Sequence, residues 1–143
     1  MKVTRTFDFL DHLMDGLQRD DALTVKRNGK WEKFSTLQYK EFANNFSYGL
    51  LALGFKKGDK IVSISNNRPE WNFIDMGMTQ VGVVHVPIYP NLGADEYRHI
   101  LSHSDAKIVI TSFEEYYEKI KKPAKEVDNI EKIYSFDPVE GVA

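Results

Sequence analysis

Two runs decide the fold class: Ile61-Val62-Ser63-Ile64-Ser65-Asn66-Asn67-Arg68-Pro69 and, farther on, Gly82-Val83-Val84-His85-Val86-Pro87-Ile88-Tyr89-Pro90. Residues 61–65 are β-rich without strong alternation, the pattern of a strand covered on both faces. Asn66-Asn67 followed by Pro69 opens a helix, because proline is tolerated only in the first turn. Trp71, Ile74, Met78 and Val81 mark the buried stripe expected of that helix. Val83–Tyr89 is a second strand, stopped by Pro90, with Pro87 expected at a bulge or at the strand's end. Strand, helix and strand in this order make a βαβ unit and imply a mainly parallel sheet.

The pattern extends in both directions from this unit. Residues 94–104 form a helix expected to bury Tyr97, Ile100 and Leu101. Lys107–Thr111 is a strand, Phe113–Lys122 a charged helix, and Ile130–Phe136 a last strand. Toward the N-terminus, Lys56-Lys57-Gly58-Asp59 is a turn. Before it, Ser35-Thr36-Leu37-Gln38 has the form of a capping box that starts a helix over 36–53. Tyr39, Phe42, Ala43, Phe46, Leu50 and Leu53 make that helix's apolar face, and Gly54 stops it. Ala22–Lys26 and Trp31–Phe34 are extended runs separated by Arg27-Asn28-Gly29-Lys30, a hairpin signal because Asn and Gly tolerate positive φ. Phe7, Leu10, Leu13, Met14 and Leu17 recur at helical spacing and predict a surface helix over 6–19. The fold class is therefore α/β: a layered domain over 1–143, with a mainly parallel sheet flanked by helices. A helix and hairpin fill 1–35, and the βαβ core fills 36–136.

Composition excludes several classes. Leu, Ile, Val and Phe make up 40 of the 143 residues, well above the roughly 20% below which chains stay disordered. Nineteen basic against 21 acidic residues give a net charge of −2, so no electrostatic case exists for a nucleic acid or anionic membrane partner. The absence of cysteine excludes disulfides and thiolate chemistry. The segment Met1-Lys2-Val3-Thr4-Arg5 leads into an amphipathic stretch and not into the apolar core of a signal peptide. A soluble, cytoplasmic, globular domain is expected.

Catalytic devices are absent as complete sets. No Gly-x-Gly-x-x-Gly follows a strand, and no Gly-x-Ser-x-Gly elbow exists. Gly49 and Gly54 have the spacing of a phosphate loop, but Phe55-Lys56 follows where Lys-Ser/Thr is needed. His99 and His103 stand at i and i+4, a spacing that can ligate zinc. They lack a third ligand, and Ile100 replaces the Glu of a zinc-protease helix, so two solvated or hydrogen-bonded histidines are expected. His85, between Val84 and Val86, reads as a satisfied core or interface histidine rather than an acid–base group. Glu114, Glu115, Lys119, Lys121 and Lys122 read as a solvated face with i,i+4 pairing. Tyr116 and Tyr117 could stack on a base or pack on the sheet, and Trp71 reads as core rather than substrate contact. No catalytic residue and no metal site is expected in this chain.

The middle of the chain resembles a known family. Ser35-Thr36-Leu37-Gln38-Tyr39-Lys40-Glu41-Phe42 is similar to the first core motif of the AMP-forming adenylate synthetases. Leu53-Gly54-Phe55-Lys56-Lys57-Gly58-Asp59-Lys60-Ile61 is similar to the turn and strand that follow it there. Gln80-Val81-Gly82-Val83-Val84-His85-Val86-Pro87 resembles the second core motif. Within that superfamily, Asn66-Asn67-Arg68-Pro69-Glu70-Trp71 with Pro87-Ile88-Tyr89-Pro90 looks like the long-chain fatty-acid–CoA ligases. The resemblance covers about residues 7–136. It implies an N-terminal part of the large N-terminal domain of such a ligase, which converts fatty acid, ATP and CoA into acyl-CoA, AMP and pyrophosphate through an acyl-adenylate.

The family's phosphate loop, its aromatic-x-x-Thr-Glu run, its hinge Asp and its adenylation Lys have no counterpart here. The resemblance therefore implies an inactive scaffold portion, with ATP, CoA and Mg²⁺ as cofactors of the complete enzyme and none held tightly by this part. By analogy with short-acid relatives, Tyr89, Pro90 and Asn91 would lie on the CoA side, with Tyr117, Lys119 and Lys121 as candidates near its 3′-phosphate. The remainder of the same chain is the expected partner. Exposed apolar surface at Val83–Tyr89 and on the Phe7–Leu17 helix would favour self-association. A complete ligase could also touch the inner membrane face peripherally. The alternatives are a stand-alone, non-catalytic binding module on this fold, and a small Rossmann-like nucleotide-binding protein, which lacks its phosphate turn.

Overall fold

The computed structural model describes residues 3–140, so Met1, Lys2 and Gly141–Ala143 lie outside the described residues. The chain forms two compact units. One holds the described residues up to Lys56 together with Asn67–Gly82, and the other holds Lys57–Asn66 and the described residues from Val83 onward.

The first unit contains α1 (Asp8–Met14), β1 (Leu23–Arg27), β2 (Lys30–Phe34), α2 (Thr36–Ala52) and α3 (Pro69–Val81). The strands pair antiparallel, with Arg27 opposite Lys30. Asn28 at φ 50° and Gly29 at φ 77° make the two-residue turn that the Asn-Gly signal predicts. α2 starts with the expected capping box: Ser35 Oγ accepts from the Gln38 N–H at 3.1 Å, and Gln38 Oε1 accepts from the Ser35 N–H at 2.8 Å. It ends in a Schellman motif, in which the N–H groups of Phe55 and Gly54 bond the carbonyls of Leu50 and Leu51, both at 3.0 Å. Gly54 takes φ +81° there.

Three expectations need correction in this unit. α1 stops at Met14 because Gly16 turns the chain at φ +113°, which leaves Leu17 54% exposed and off the helix. On α2, Leu53 is 60% exposed as the C-cap residue, and the buried face runs through Thr36, Ala43, Ser47 and Leu50. On α3, Ile74 and Met78 are buried as predicted. Trp71 and Val81 are only half-buried, while Phe73, Met76 and Gly77 complete the inward stripe. Phe73 stacks on Phe42 at 4.8 Å between ring centroids and meets Phe34 edge-on at 5.4 Å.

Charge ties the hairpin to the start of α3. Glu70 accepts from Arg27 of β1 at 2.5 Å and from Arg68 at 2.8 Å, and Arg27 also pairs with Glu32 of β2 at 2.8 Å. Burial alone would raise the Glu70 carboxyl, but hydrogen bonds from Arg68, its own backbone and Arg27 hold it down to about 2. A carboxylate depressed in the folded state contributes its full stability above its ordinary value of 4.5 and loses it as pH falls toward 2. Glu70→Gln is expected to cost about 1 kcal/mol at neutral pH and to flatten the acid limb of stability between pH 4.5 and 2. Urea titrations across that range check both effects. An acid limb as steep in the variant as in the natural protein overturns the assignment.

The second unit contains β3 (Lys60–Ile64), β4 (Val84–Ile88), α4 (Ala94–Ser104), β5 (Ile108–Thr111), α5 (Glu114–Lys125) and β6 (Lys132–Ser135). All four strands are parallel, in the order β4-β3-β5-β6. Residues 61–64 of β3 are 0–1% exposed, as the unalternating sequence required. Pro87 sits inside β4, opposite Ser63, rather than at a bulge. β4 is an edge strand of this sheet, and an edge position tolerates a missing N–H donor.

The core of this unit joins Val62, Ile64 and Val109 of the sheet to Tyr97 and Leu101 of α4 and Ile120 and Ala124 of α5. Ile100, expected in that core, is half-buried. α5 continues past Lys122 to Lys125 through a buried Pro123. It closes with an i→i−3 bond from the Glu126 N–H at 3.2 Å. No described helix is long and apolar enough to cross a membrane.

Candidate functional site

The exit of β4 combines an exposed aromatic ring with two local hydrogen bonds. The Tyr97 hydroxyl donates to the Tyr89 carbonyl at 3.3 Å. Four residues on from Tyr89, the Gly93 N–H donates to Glu96 Oε2 at 2.7 Å. Leu92, between them, packs against the core of that unit. The backbone of the exit is thus held at both ends, while the Tyr89 ring stands 78% exposed. Asn91 is exposed and Pro90 half-buried.

The cation candidates Lys119 and Lys121 lie on α5. Burial pushes the Tyr97 hydroxyl up, and the positive charge of Lys119 opposes part of that rise. The Lys119 ammonium lies 5.6 Å from the centre of the Tyr116 ring. It pairs with Glu115 at 2.8 Å, the bond that raises its pKa most. Lys121 pairs with Glu118. The expected i,i+4 pairing on this helix is therefore present for Lys119. Tyr117 lies elsewhere, in a cavity of about 330 Å³ lined also by Lys132, Tyr134 and Ser135.

The other sequence candidates resolve individually. His85 is half-buried, and its Nε2 lies 2.7 Å from Ser63 Oγ across the β3–β4 pair. Ser63 is 1% exposed, so this serine is closed to any substrate and the pair is a satisfied sheet contact. Gly49 lies within α2 and Gly54 in its C-terminal turn, so neither belongs to a phosphate loop. His99 and His103 are exposed, and no cluster of three potential metal ligands exists among the described residues. The contribution missed from sequence is Tyr97, counted only as core. Its helical spacing signals burial but not the direction of its hydroxyl.

Comparison with known proteins agrees with this architecture. Residues 15–141 match the family described as AMP-binding enzyme. The chain is 31% identical over 115 residues to fatty acyl-CoA synthetase A of Dictyostelium discoideum, covering 78% of this chain and 17% of that protein. It is 28% identical over 112 residues to the long-chain-fatty-acid–CoA ligase ACSBG1 of Rattus norvegicus, covering 78% and 16% respectively. Its fold matches the crystal structure of the N-terminal domain of FACL13 from Mycobacterium tuberculosis with a TM-score of 0.76 and 22% identity, over 94% of this chain and 34% of that one. The chain thus spans about a sixth of the length of the curated relatives it matches. With nearly all of its described strands and helices inside the matched span, the chain belongs to the AMP-binding enzyme family.

Proposed function

We propose that this chain is the N-terminal scaffold portion of a long-chain fatty-acid–CoA ligase of the AMP-forming type. Such an enzyme condenses a fatty acid with ATP to an acyl-adenylate and pyrophosphate, then passes the acyl group to the CoA thiol and releases AMP. The family match and the names of the relatives support the ligase reading. The sequence holds no glycine-rich phosphate loop, and the described residues hold no three-donor cluster. No step of adenylation is therefore assigned to this chain, and alone it is expected to be inactive.

The contribution we assign to it is one wall of the CoA path. The observation that carries this assignment is the Tyr89 ring, exposed on a backbone that Tyr97 holds in place. A flat aromatic ring on a fixed support can stack on the adenine of CoA. In the complete protein that carries this sequence, Tyr89→Ala is expected to raise KM for CoA on the order of tenfold, the loss of one stacking contact. Fatty-acid-dependent pyrophosphate release measured without CoA should be unchanged. An unaltered KM for CoA overturns the wall assignment. Fatty-acid-dependent pyrophosphate release by the 143-residue chain alone overturns the scaffold reading.

A further inference from the structure

His99 and His103 carry an inference separate from the ligase reading and independent of it. They stand four residues apart on α4, both exposed, with ring centroids 5.8 Å apart and ring planes 8° from parallel. That separation matches about four rises of 1.5 Å along one helix face. Among the described residues, neither ring is engaged by a hydrogen bond or ion pair, so their mutual stacking leaves the ring nitrogens available.

The pair borders a cavity of about 400 Å³. Val84 and Val86 of β4 and Ile100 of α4 give the cavity its apolar wall. Its one lysine, Lys60 of β3, faces the Asp105 carboxylate at 3.5 Å. The lysine of the cavity is therefore partly balanced by a carboxylate.

We propose that His99 and His103 together chelate a divalent first-row transition-metal ion, one nitrogen from each ring, with water completing the coordination. Metal–imidazole bonds of about 2.0–2.1 Å require the two donor nitrogens to come within roughly 3 Å of each other. The rings reach this by turning toward one another about χ2, which is a broad torsion for histidine. With no third protein donor among the described residues, the site is open and exchangeable rather than structural. Cu²⁺ binds more tightly than Zn²⁺ at such a site, following the general order for nitrogen ligands.

Calorimetric titration of the untagged protein with CuCl₂ and with ZnCl₂ tests the site. One ion per chain is expected, with Cu²⁺ the tighter. His99→Gln and His103→Gln should each weaken binding by about 10²-fold, because the second imidazole then no longer acts intramolecularly. His12→Gln should leave the affinity unchanged. Both substituted histidines are exposed, so circular dichroism should show an unaltered fold. In the natural protein, substoichiometric Cu²⁺ should broaden the ring NMR signals of His99 and His103 before those of His12 and His85. Absence of binding, equal affinity in either single variant, or first broadening at His12 or His85 overturns the proposal.

Discussion

Gly77→Ala is expected to destabilise the first unit by about 2 kcal/mol, even though alanine is the better helix former. Gly77 lies in the middle of α3, where the intrinsic preference for alanine over glycine is worth about 1 kcal/mol in favour of the substitution. Packing decides the other way. A methyl group at this position would stand 2.7 Å from the Ala43 carbonyl oxygen and 2.9 and 3.2 Å from Phe46 ring and β carbons. The first neighbour is backbone of α2, which cannot move aside as the end of a flexible side chain would.

The two helices approach so closely because a polar contact draws them together at the same level. Ser47 Oγ lies 2.9 Å from the Gly77 carbonyl and 3.0 Å from the Ala43 carbonyl, and it also contacts Gln80 Oε1. Gln80 in turn donates to Asn44 Oδ1 at 3.0 Å. Forcing the helices apart stretches this network as well as the aromatic contacts beside it, and overpacking of this kind costs about 1–3 kcal/mol. Thermal unfolding should show the melting temperature of Gly77→Ala lower by roughly 4–8 °C. A variant that melts at or above the natural protein would show that α2 and α3 do not pack at this distance.

The parts legible in the sequence are those governed by neighbours a few residues away. The Asn28-Gly29 turn, the Ser35–Gln38 box, Pro69 in the first turn of α3 and the unalternating run Ile61–Ile64 each depend on local chemistry, and each took its expected form. Boundaries depend on competition between signals. The periodicity of Phe7–Leu17 predicted a helix of about four turns over 6–19, but Gly16 broke the helix first. The charged helix expected over Phe113–Lys122 runs on to Lys125, with Pro123 inside its last turn.

Contacts between distant segments were not legible at all. That Ser63 meets His85 follows from the parallel register in which Ile61 faces His85, and a β3 run buried on both faces carries no alternation to mark that register. The strand order β4-β3-β5-β6 has the same status. The candidate site was half legible: the segment Tyr89–Asn91 came from family resemblance. The tyrosine that holds it needed the packing of α4. Two residues expected on the buried face of α2 are exposed because Phe42 lies on the flank of the apolar stripe and Leu53 is the C-cap residue, 44% and 60% exposed.

Tyr97 joins stability to the candidate site, and two substitutions there should separate the roles. The side chain is 1% exposed in the core formed with Val62, Ile64, Leu101, Val109 and Ile120, and its hydroxyl reaches the Tyr89 carbonyl. Tyr97→Ala removes a buried ring and leaves a cavity, which costs about 3–5 kcal/mol. That is a large share of the 5–15 kcal/mol by which a domain is normally stable.

Tyr97→Phe keeps the ring and removes only the hydroxyl, leaving the Tyr89 carbonyl without this donor. That bond is worth about 0.5–1.5 kcal/mol, with the long 3.3 Å separation arguing for the lower end. The phenylalanine variant should therefore melt close to the natural protein, yet amide hydrogen exchange across residues 89–93 should accelerate, because the tether of the exit is gone. In the complete protein, the same variant should shift KM for CoA in the direction of Tyr89→Ala but by less, with pyrophosphate release unchanged. Exchange at 89–93 as slow as in the natural protein would show that Leu92 and the Gly93–Glu96 bond alone hold the exit. A phenylalanine variant as unstable as the alanine one would show that the hydroxyl, and not the ring, dominates this part of the core.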